Sequence, residues 1–332
     1  MVENKHLSLR RLRQSPWVRQ LVKEHRVAVD QLIQPLFVME GIAAREPVPG
    51  LTEVYRETPD SLLKRIEMDL EMGVRKFLLF GIPQEKKLDH FEAGFTAKQI
   101  HQIRKRFGKD LFLGVDVCLC SYTQHGQCGV LTIEGDHVDN SCTVQELTNL
   151  ALSYAQAGAD CVAPSDMMDG RIGAIRASLD RAELHHTMIM SYSAKFHSKF
   201  YGPFRAAADS APKGGLKDRA TYQIDPATPR DDYLSSMRDA EEGADILMVK
   251  PGLPYLDVLQ KLSTEIQKPW AVYEVSGEFA AIEVLAEKGL INGSAAHLEA
   301  WTAFVRAGAS MIITYGARFA RQYLNQNPEI SS

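Results

Sequence analysis

Apolar residues along the chain recur in short runs, separated by segments with helical periodicity. Eight extended apolar stretches follow one another, and we interpret them as strands: Leu32–Val38, Arg75–Phe80, Leu111–Val117, Asp160–Pro164, Thr187–Ala194, Asp245–Val249, Trp270–Val275 and Ser310–Thr314. Helix-length segments separate most of them. One such segment has Thr58 as its cap and Pro59 in its first turn, followed by apolar residues at helical spacing from Leu62 to Leu70.

Strands that alternate with helices in this way predict an α/β protein, and eight such strands predict a closed (β/α)8 TIM barrel. The structural alternative is a doubly wound open sheet. No Gly-x-Gly-x-x-Gly follows an early strand, so the dinucleotide-binding form of that sheet is not supported. No linker or low-complexity tract divides the chain. We therefore predict an extended N-terminal arm at residues 1–26 and a single barrel domain at residues 27–332.

Four of the predicted strands follow a helix that ends at a glycine. In each case the strand ends seven residues beyond that glycine. Glycine is favoured there because a helix commonly ends with a residue in the left-handed conformation. The four strand-end residues are Phe80, Ser165, Lys250 and Tyr315, and three of them carry polar groups. Since a parallel barrel has its active site at the C-terminal ends of its strands, this pattern predicts a site there.

The overall composition is that of an ordinary globular protein. The 332 residues include 24% charged and 45% hydrophobic side chains, with a net charge of −4. This balance does not indicate binding to nucleic acid or to a membrane. No apolar run approaches the roughly 20 residues that cross a bilayer, and the first residues lack the apolar stretch of a signal peptide. We expect a cytoplasmic protein.

The predicted arm has a different composition. Its 26 residues contain seven Lys or Arg and two acidic side chains. A basic arm can bind nucleic acid, but Trp17, Val18, Leu21 and Val22 give this one an apolar side. We therefore favour packing of the arm on another subunit of a homo-oligomer.

Two neighbouring predicted strands end in lysines, the fifth in Lys195 and the sixth in Lys250. A second cation nearby and partial burial lower a lysine pKa from about 10.4 towards 7 to 8, which raises the fraction of neutral, nucleophilic amine. Neutral lysine forms an imine with a ketone or aldehyde. The alternative is that each lysine binds an anionic group as a point charge. Asp116, on the interior phase of the third strand, is a candidate proton carrier or counter-ion.

Three of the five cysteines lie close together after the third predicted strand: Cys118, Cys120 and Cys128. Three thiolates suit a borderline divalent ion, most plausibly Zn²⁺, and leave a fourth tetrahedral position for water or substrate. That arrangement is typical of a catalytic ion. Two alternatives stay open at this point: His125 completes a closed structural site, or the three thiols are free in a reducing compartment.

The longest gap between predicted strands follows Lys195 and contains basic and glycine-bearing segments. Such a segment at the mouth of a barrel predicts a mobile active-site lid, here around residues 197–224. Arg205, Arg219 and Lys213 would recognise an anionic substrate, since arginine in particular binds planar carboxylates.

These residues resemble a known family, the porphobilinogen synthases, also called 5-aminolevulinate dehydratases. The resemblance extends from about Leu9 to Tyr315. The motifs that carry it are Asp116–Cys120, Ser193–Phe196, Phe200–Arg205, Leu247–Gly252 and Val275–Glu278.

The resemblance implies a lyase of heme and other tetrapyrrole biosynthesis that condenses two 5-aminolevulinate molecules to porphobilinogen with loss of two waters. It also implies a homo-oligomer, typically an octamer of dimers joined by their arms. By analogy Lys250 binds the first substrate as a Schiff base, with the carboxylate of that substrate held by Ser276 and Tyr315. Lys195 binds the second.

By the same analogy the second carboxylate is held by Arg205, Arg219 and Gln223, and the substrate-binding residues further include Ser165 and Phe204. The three cysteines match the zinc-dependent branch of the family.

One position departs from many bacterial members, in which a glutamate after the lid contributes to an allosteric magnesium site. Ser235 stands there, so magnesium activation is doubtful, although Asp231 and Asp232 lie nearby.

Two rival functions remain at this stage. A class I aldolase uses one strand-end lysine in such a barrel and needs no thiolate metal. A non-catalytic zinc-binding scaffold would need neither lysine.

Overall fold

A computed structural model of the chain describes residues 9–213, 216–228 and 230–328. Residues 1–8 of the predicted arm, residues 214 and 215 of the predicted lid, residue 229 and the last four residues of the predicted barrel domain lie outside the described residues. Among the helices of the described ranges, none has the length and apolar character needed to cross a membrane.

The strands of the described residues are β1 (Leu32–Met39), β2 (Glu46–Pro47), β3 (Tyr55–Glu57), β4 (Lys76–Ile82), β5 (Phe112–Val117), β6 (Cys161–Pro164), β7 (Met188–Lys195), β8 (Ile246–Lys250), β9 (Trp270–Tyr273) and β10 (Met311–Ile313). The α-helices of the same residues are α1 (Pro16–Leu21), α2 (Pro59–Glu71), α3 (Gly94–Phe107), α4 (Asn140–Gln156), α5 (Arg171–Arg181), α6 (Gly202–Ala207), α7 (Asp231–Glu241), α8 (Leu256–Glu265), α9 (Ser276–Glu287), α10 (Gly293–Arg306) and α11 (Ala320–Gln326).

Eight strands, β1 and β4 to β10, form a closed parallel barrel. Each pairs with the next along the chain, and β10 pairs with β1 to close the ring. The predicted (β/α)8 barrel is therefore confirmed, and the open doubly wound sheet is excluded. All eight predicted strands are present, because parallel strands covered by helices appear in the sequence as continuous apolar runs.

A short hairpin of β2 and β3 was not predicted. Strand β1 pairs with β10 at Leu32 and Ile33, and further along it pairs with β3 at Phe37 and Val38. The hairpin thus covers the edge of β1 beyond the end of β10. Strands of two and three residues are too short to show a periodicity of two in the sequence.

Side chains at alternate positions of the strands form two separate apolar layers. In β8, Ile246 and Met248 belong to the cluster inside the barrel, whereas Leu247 and Val249 belong to the cluster between the strands and the helices. The same alternation continues to Lys250, the last residue of β8, which therefore points to the interior at the C-terminal end of the barrel.

The four glycines predicted to close helices all do so, with the same geometry. They are Gly73, Gly158, Gly243 and Gly308, with φ of 94°, 111°, 104° and 106°. After α7, the N–H of Gly243 donates to the carbonyl of Ala240 and the N–H of Ala244 donates to the carbonyl of Asp239. This is the Schellman motif. It turns the chain from each helix directly into the next strand.

The N-terminal segment is the least buried part of the described chain. A 3₁₀ helix (Leu9–Arg13) and α1 contain no buried residue, and Trp17 and Leu21 are 77% and 84% exposed. Val27 and Val29, just beyond it, pack against the main core.

Replacement of Gly243 by alanine should lower the free energy of unfolding by about 1–3 kcal/mol, because its left-handed φ is unfavourable for any residue with a Cβ. The matched control is Gly173→Ala inside α5, where an added Cβ would make only ordinary contact, 3.5 Å from Glu242, and should be neutral or stabilising. Denaturant or thermal unfolding at fixed protein concentration measures both. Equal stabilities of the two variants would contradict the cap assignment.

Candidate active site

Lys250 lies in a pocket of aromatic rings at the C-terminal end of β8. Its side chain is almost fully buried, with 3% of the residue exposed. The Nζ atom lies 4.0 Å from the centre of the Tyr273 ring, 4.8 Å from that of Phe204, 5.0 Å from that of Tyr192 and 5.6 Å from that of Tyr201. The faces of such rings attract cations, so these rings partly offset the cost of a positive charge on the buried Lys250 nitrogen.

Lys195 reaches the same pocket because strand β7 contains a β-bulge. Between Ser191 and Ala194 the strand advances three residues while β8 advances two, and Lys195 then pairs with Lys250. In a regular register Ala194 would lie opposite Lys250 and Lys195 would point towards the helices. The bulge shifts the alternation by one residue, so that both Tyr192 and Lys195 point inward.

The two lysine amines lie near the same aromatic ring. Their Nζ atoms are 5.6 Å (Lys195) and 5.0 Å (Lys250) from the centre of the Tyr192 ring, and Lys195 also donates to the carbonyl oxygen of Ser165. Burial, and then the neighbouring Lys195, lower the pKa of Lys250 to about 7. About half of the Lys250 amines are therefore neutral near pH 7.

Asp116 lies on the inward face of β5 near the two lysines. Its side chain is partly exposed, but Oδ1 is buried and has no hydrogen-bond partner among the described residues. Burial raises the pKa of Asp116 to about 6, while Lys195 and Lys250 oppose that increase. A carboxyl group with this pKa can both accept and release protons near neutral pH.

The three predicted metal ligands come together at the end of β5. The Sγ atoms of Cys118, Cys120 and Cys128 all lie within 4.8 Å of one another, and all three residues are buried. Hydrogen bonds from Cys118 and then Cys120 lower the pKa of the Cys128 thiol well below its usual value. His125 does not belong to this group, and its Nδ1 accepts the N–H of Gln127. The cluster could therefore hold a metal ion through three sulfur atoms.

Residues 118–128, here called the cysteine loop, are hydrogen-bonded to the predicted lid at residues 197–224. The side-chain amide of Gln127 donates to the carbonyls of Leu216 and Asp218 at 2.9 and 3.1 Å. From the lid, Arg219 Nη2 donates to the carbonyl of Gly126 at 2.9 Å. The N–H of Cys128 donates to the Tyr222 hydroxyl at 3.1 Å, and this hydroxyl donates to Gln127. The lid therefore covers the cysteine cluster.

Three of the predicted substrate-binding residues lie in the lid with polar atoms unpaired. Arg219 and Gln223 are buried and Arg205 is half-buried. Among the described residues, Nε of each arginine and both amide atoms of Gln223 are buried without a partner. Burial, and then the charge of Arg219, lower the pKa of Arg205. Such a group is suited to bind a carboxylate.

Two of the other predicted substrate-binding residues are connected to the rings around Lys250. The Oγ of Ser276 accepts the N–H of Phe204 at 3.0 Å and donates to the carbonyl of Phe200 at 3.3 Å, which connects helix α6 to the start of α9. The hydroxyl of Tyr315 lies 3.5 Å from that of Tyr273. Ser276 and Tyr315 are thus linked to Phe204 and Tyr273, whose rings lie 4.8 and 4.0 Å from the Lys250 nitrogen.

Sequence reasoning missed the aromatic residues that form this pocket, chiefly Tyr192, Tyr201 and Tyr273. The alternation of β9 places Tyr273 inside the barrel, so the sequence pattern alone could have identified it. Tyr192 could not be placed in this way, because its relation to Lys195 depends on the bulge.

Comparison with known proteins identifies the family. Residues 6–323 match the family model described as delta-aminolevulinic acid dehydratase. The enzyme of that name from Helicobacter pylori is 42% identical over 324 residues, which cover 96% of this chain and 99% of the relative. The chain belongs to the delta-aminolevulinic acid dehydratase family. This assignment confirms the enzyme class and the activity that the sequence predicts.

Other members of the delta-aminolevulinic acid dehydratase family agree. The enzyme from Halalkalibacterium halodurans is 41% identical over 321 residues, 96% of each chain. A crystal structure of the Toxoplasma gondii enzyme, solved in complex with the reaction product porphobilinogen, is 39% identical and has a TM-score of 0.90. The matched region covers 97% of this chain and 92% of the Toxoplasma gondii chain.

The lowered pKa of Lys250 predicts how its reactivity depends on pH. Only the neutral amine reacts with acetic anhydride, so the rate of modification at Lys250 should rise between pH 6 and 8 and level off above, with a midpoint near 7. Mass spectrometry of the peptide that contains Lys250 measures this rate. In Lys195→Met the neighbouring positive charge is gone, so the midpoint should move to higher pH. A rate that continues to rise to about pH 10 in the wild type would contradict the assignment.

Proposed function

We propose that the chain condenses two molecules of 5-aminolevulinate to porphobilinogen in one pocket, where Lys250 and Lys195 each bind one substrate as a Schiff base. The observation that carries the proposal is that Lys195 and Lys250 pair on neighbouring strands and that both amines lie near the Tyr192 ring. Each substrate has a ketone, which reacts with an amine, and a carboxylate, which needs a cationic or hydrogen-bonding partner. The proposed site has two amines, and it has two sets of side chains that can bind a carboxylate.

The first 5-aminolevulinate binds at Lys250. The neutral Nζ adds to the ketone carbon, and the resulting carbinolamine loses its hydroxyl as water to leave a C=N bond. The protonated imine carries a positive charge, which the faces of Tyr273, Phe204 and Tyr192 stabilise. Ser276 and Tyr315 hold the carboxylate of this substrate.

The second 5-aminolevulinate binds at Lys195, whose amine is directed by the carbonyl of Ser165. Its carboxylate is held by Arg205, Arg219 and Gln223, whose unpaired buried atoms are suited to that role. The lid that carries these three residues excludes water from the reaction.

Asp116 carries protons between the two substrates. The condensation requires a C–H proton to leave one substrate and the carbonyl oxygens to leave as water. A carboxyl group with a pKa of about 6 can serve in both directions.

We propose that the cysteine cluster binds Zn²⁺ and that the chain belongs to the zinc-dependent branch of the family. Tetrahedral zinc with Zn–S bonds of about 2.3 Å needs sulfur atoms about 3.8 Å apart, and the three Sγ atoms lie within 4.8 Å. When bound, such an ion polarises a substrate atom or water at its fourth position. Since His125 lies outside this group of ligand atoms, that position would be left to water or substrate.

Two rival functions fit less well. A class I aldolase needs one reactive lysine and gives no role to Lys195 or to the cysteines. A zinc-binding scaffold gives no role to the amine of Lys250, which is buried among aromatic rings with a lowered pKa.

A homo-oligomer is part of the proposal, with arms packed on neighbouring subunits and an octamer as the expected form. The exposed Trp17 and Leu21 support this, since large apolar side chains on the surface favour burial against a partner. All five cysteines are free, which suits the reducing cytoplasm. The net charge of −4 gives no reason to expect nucleic acid or membrane partners.

We do not propose regulation by magnesium, because a positively charged side chain lies beside Ser235. The guanidinium of Arg238 donates to Asp169 and lies 3.4 Å from the Oγ of Ser235. A cationic group of the chain itself is thus present at the position where many relatives have a glutamate. Asp231 and Asp232 lie on the same helix, α7.

Reduction by borohydride in the presence of 5-aminolevulinate should attach substrate covalently to Lys250 and Lys195. Mass spectrometry of the digested protein should find the adduct on both lysines and on no exposed lysine such as Lys288. The variant Lys250→Met should lose activity by on the order of 10⁴-fold or more. Absence of adduct at both lysines in the wild type would refute the proposed function, and an adduct at Lys250 alone would favour the aldolase alternative.

Removal of metal should abolish activity, and zinc should restore it. Cys120→Ser should weaken zinc binding, measured by competition with a coloured chelator, by at least about 100-fold. The matched control is Cys142→Ser, which changes an exposed cysteine outside the cluster and should leave the affinity for zinc unchanged. Full activity of metal-free protein would contradict a catalytic role for the ion.

A further inference from the structure

The segment after β9 carries a buried glutamate, Glu278, to which the proposed mechanism gives no role. It is the third residue of α9 and is 3% exposed. Its Oε2 accepts the N–H of Val275 at 2.7 Å and that of Gly252 at 3.2 Å, and its Oε1 accepts the N–H of Leu253. One carboxylate therefore joins the start of α9 to the loop that follows Lys250.

Helix capping accounts for only part of this arrangement. A glutamate at the third position of a helix commonly accepts the N–H of the residue before the helix, here Val275. The bonds from Gly252 and Leu253 come from another strand end. Buried N–H groups need a partner, and for these two groups the partner is Glu278. A capping glutamate without a further role would not explain two of the three bonds.

The two residues before Glu278 contact the lid. Ser276 accepts the N–H of Phe204, the residue whose ring lies 4.8 Å from the Lys250 nitrogen. At Gly277 an added Cβ would lie 2.6 Å from the carbonyl oxygen of Phe200, so only glycine allows the lid backbone to approach this closely. The lid, the start of α9 and the Lys250 loop thus meet at three consecutive residues.

We propose that Glu278 is a positioning residue for Lys250. By fixing the loop after Lys250 to the start of α9, it sets where the Lys250 amine lies relative to Ser276 and to the Phe204 ring. This inference rests on the proposed function, in which the amine and Ser276 bind the ketone and the carboxylate of one 5-aminolevulinate. Glu278 acts through the backbone and does not touch the substrate.

The variant Glu278→Gln should selectively slow Schiff-base formation at Lys250. The amide keeps one acceptor oxygen but directs an NH₂ group towards backbone N–H groups, so the loop after Lys250 is displaced. A displacement of about 1 Å from the geometry of attack costs on the order of 100-fold in rate. Lys195 lies on β7, which Glu278 does not contact through any of its hydrogen bonds, so its reaction should be unaffected.

The experiment measures the initial rates of borohydride trapping at the two lysines in the full-length enzyme with 5-aminolevulinate. In Glu278→Gln the rate at Lys250 should fall by about 10- to 100-fold while the rate at Lys195 stays within about 2-fold of the wild type. Glu278→Asp keeps a carboxyl group on a shorter side chain and should give an intermediate ratio. The matched control is Glu287→Gln, an exposed glutamate on the same helix, which should change neither rate.

Three results would overturn the inference. Wild-type trapping at Lys250 in Glu278→Gln shows that the carboxylate does not position the amine, and an equal loss at both lysines shows a general effect on the fold. If Glu278→Gln does not fold, the ratio in Glu278→Asp decides, and an unchanged ratio refutes the role. Failure of the proposed function itself is recognised separately, because the wild type then shows no adduct at Lys250 at all.

Discussion

The site depends on holding two lysines on neighbouring strands at one end of a barrel, where burial and the charge of Lys195 disfavour the charged form of Lys250. The fold meets this constraint because the C-terminal ends of neighbouring parallel strands lie side by side, so that residues closing β7 and β8 face one pocket. Aromatic faces accept the positive charge that develops on Lys250, and the Ser165 carbonyl fixes Lys195. The same repulsion that makes the arrangement costly keeps one amine reactive near neutral pH.

Much of the fold could be read from the sequence, because its signals are local. The apolar runs predicted all eight barrel strands, and four glycines predicted the helix ends that precede four of them. The hairpin of β2 and β3 could not be predicted, since so few residues carry no periodicity. The site likewise contains features with local sequence signals and features that depend on distant parts of the chain. Lys195, Lys250 and the cysteines were found by their chemistry, whereas the bulge in β7 depends on pairing between strands.

Two of the hydrogen bonds of Glu278 could not be predicted from the sequence for a related reason. Its neighbour in sequence, Val275, is the partner that capping rules predict. Gly252 and Leu253 precede Glu278 by more than twenty residues, and only the barrel brings them together. The cysteine loop and the lid are joined in the same way, through Gln127 and Tyr222. The groups proposed to bind metal and those proposed to bind substrate are therefore parts of one connected structure.

The bulge in β7 takes up one residue that regular pairing with β8 does not require. If one of the two amino acids between Ser191 and Ala194 were missing, Ala194 would lie opposite Val249 and Lys195 opposite Lys250 without a bulge, so the amine of Lys195 would still face the barrel interior. If the strand kept its length but paired regularly, the same amine would face the helix layer. In homologous chains, an alignment gap of one residue at this point is therefore compatible with two lysine amines in one pocket.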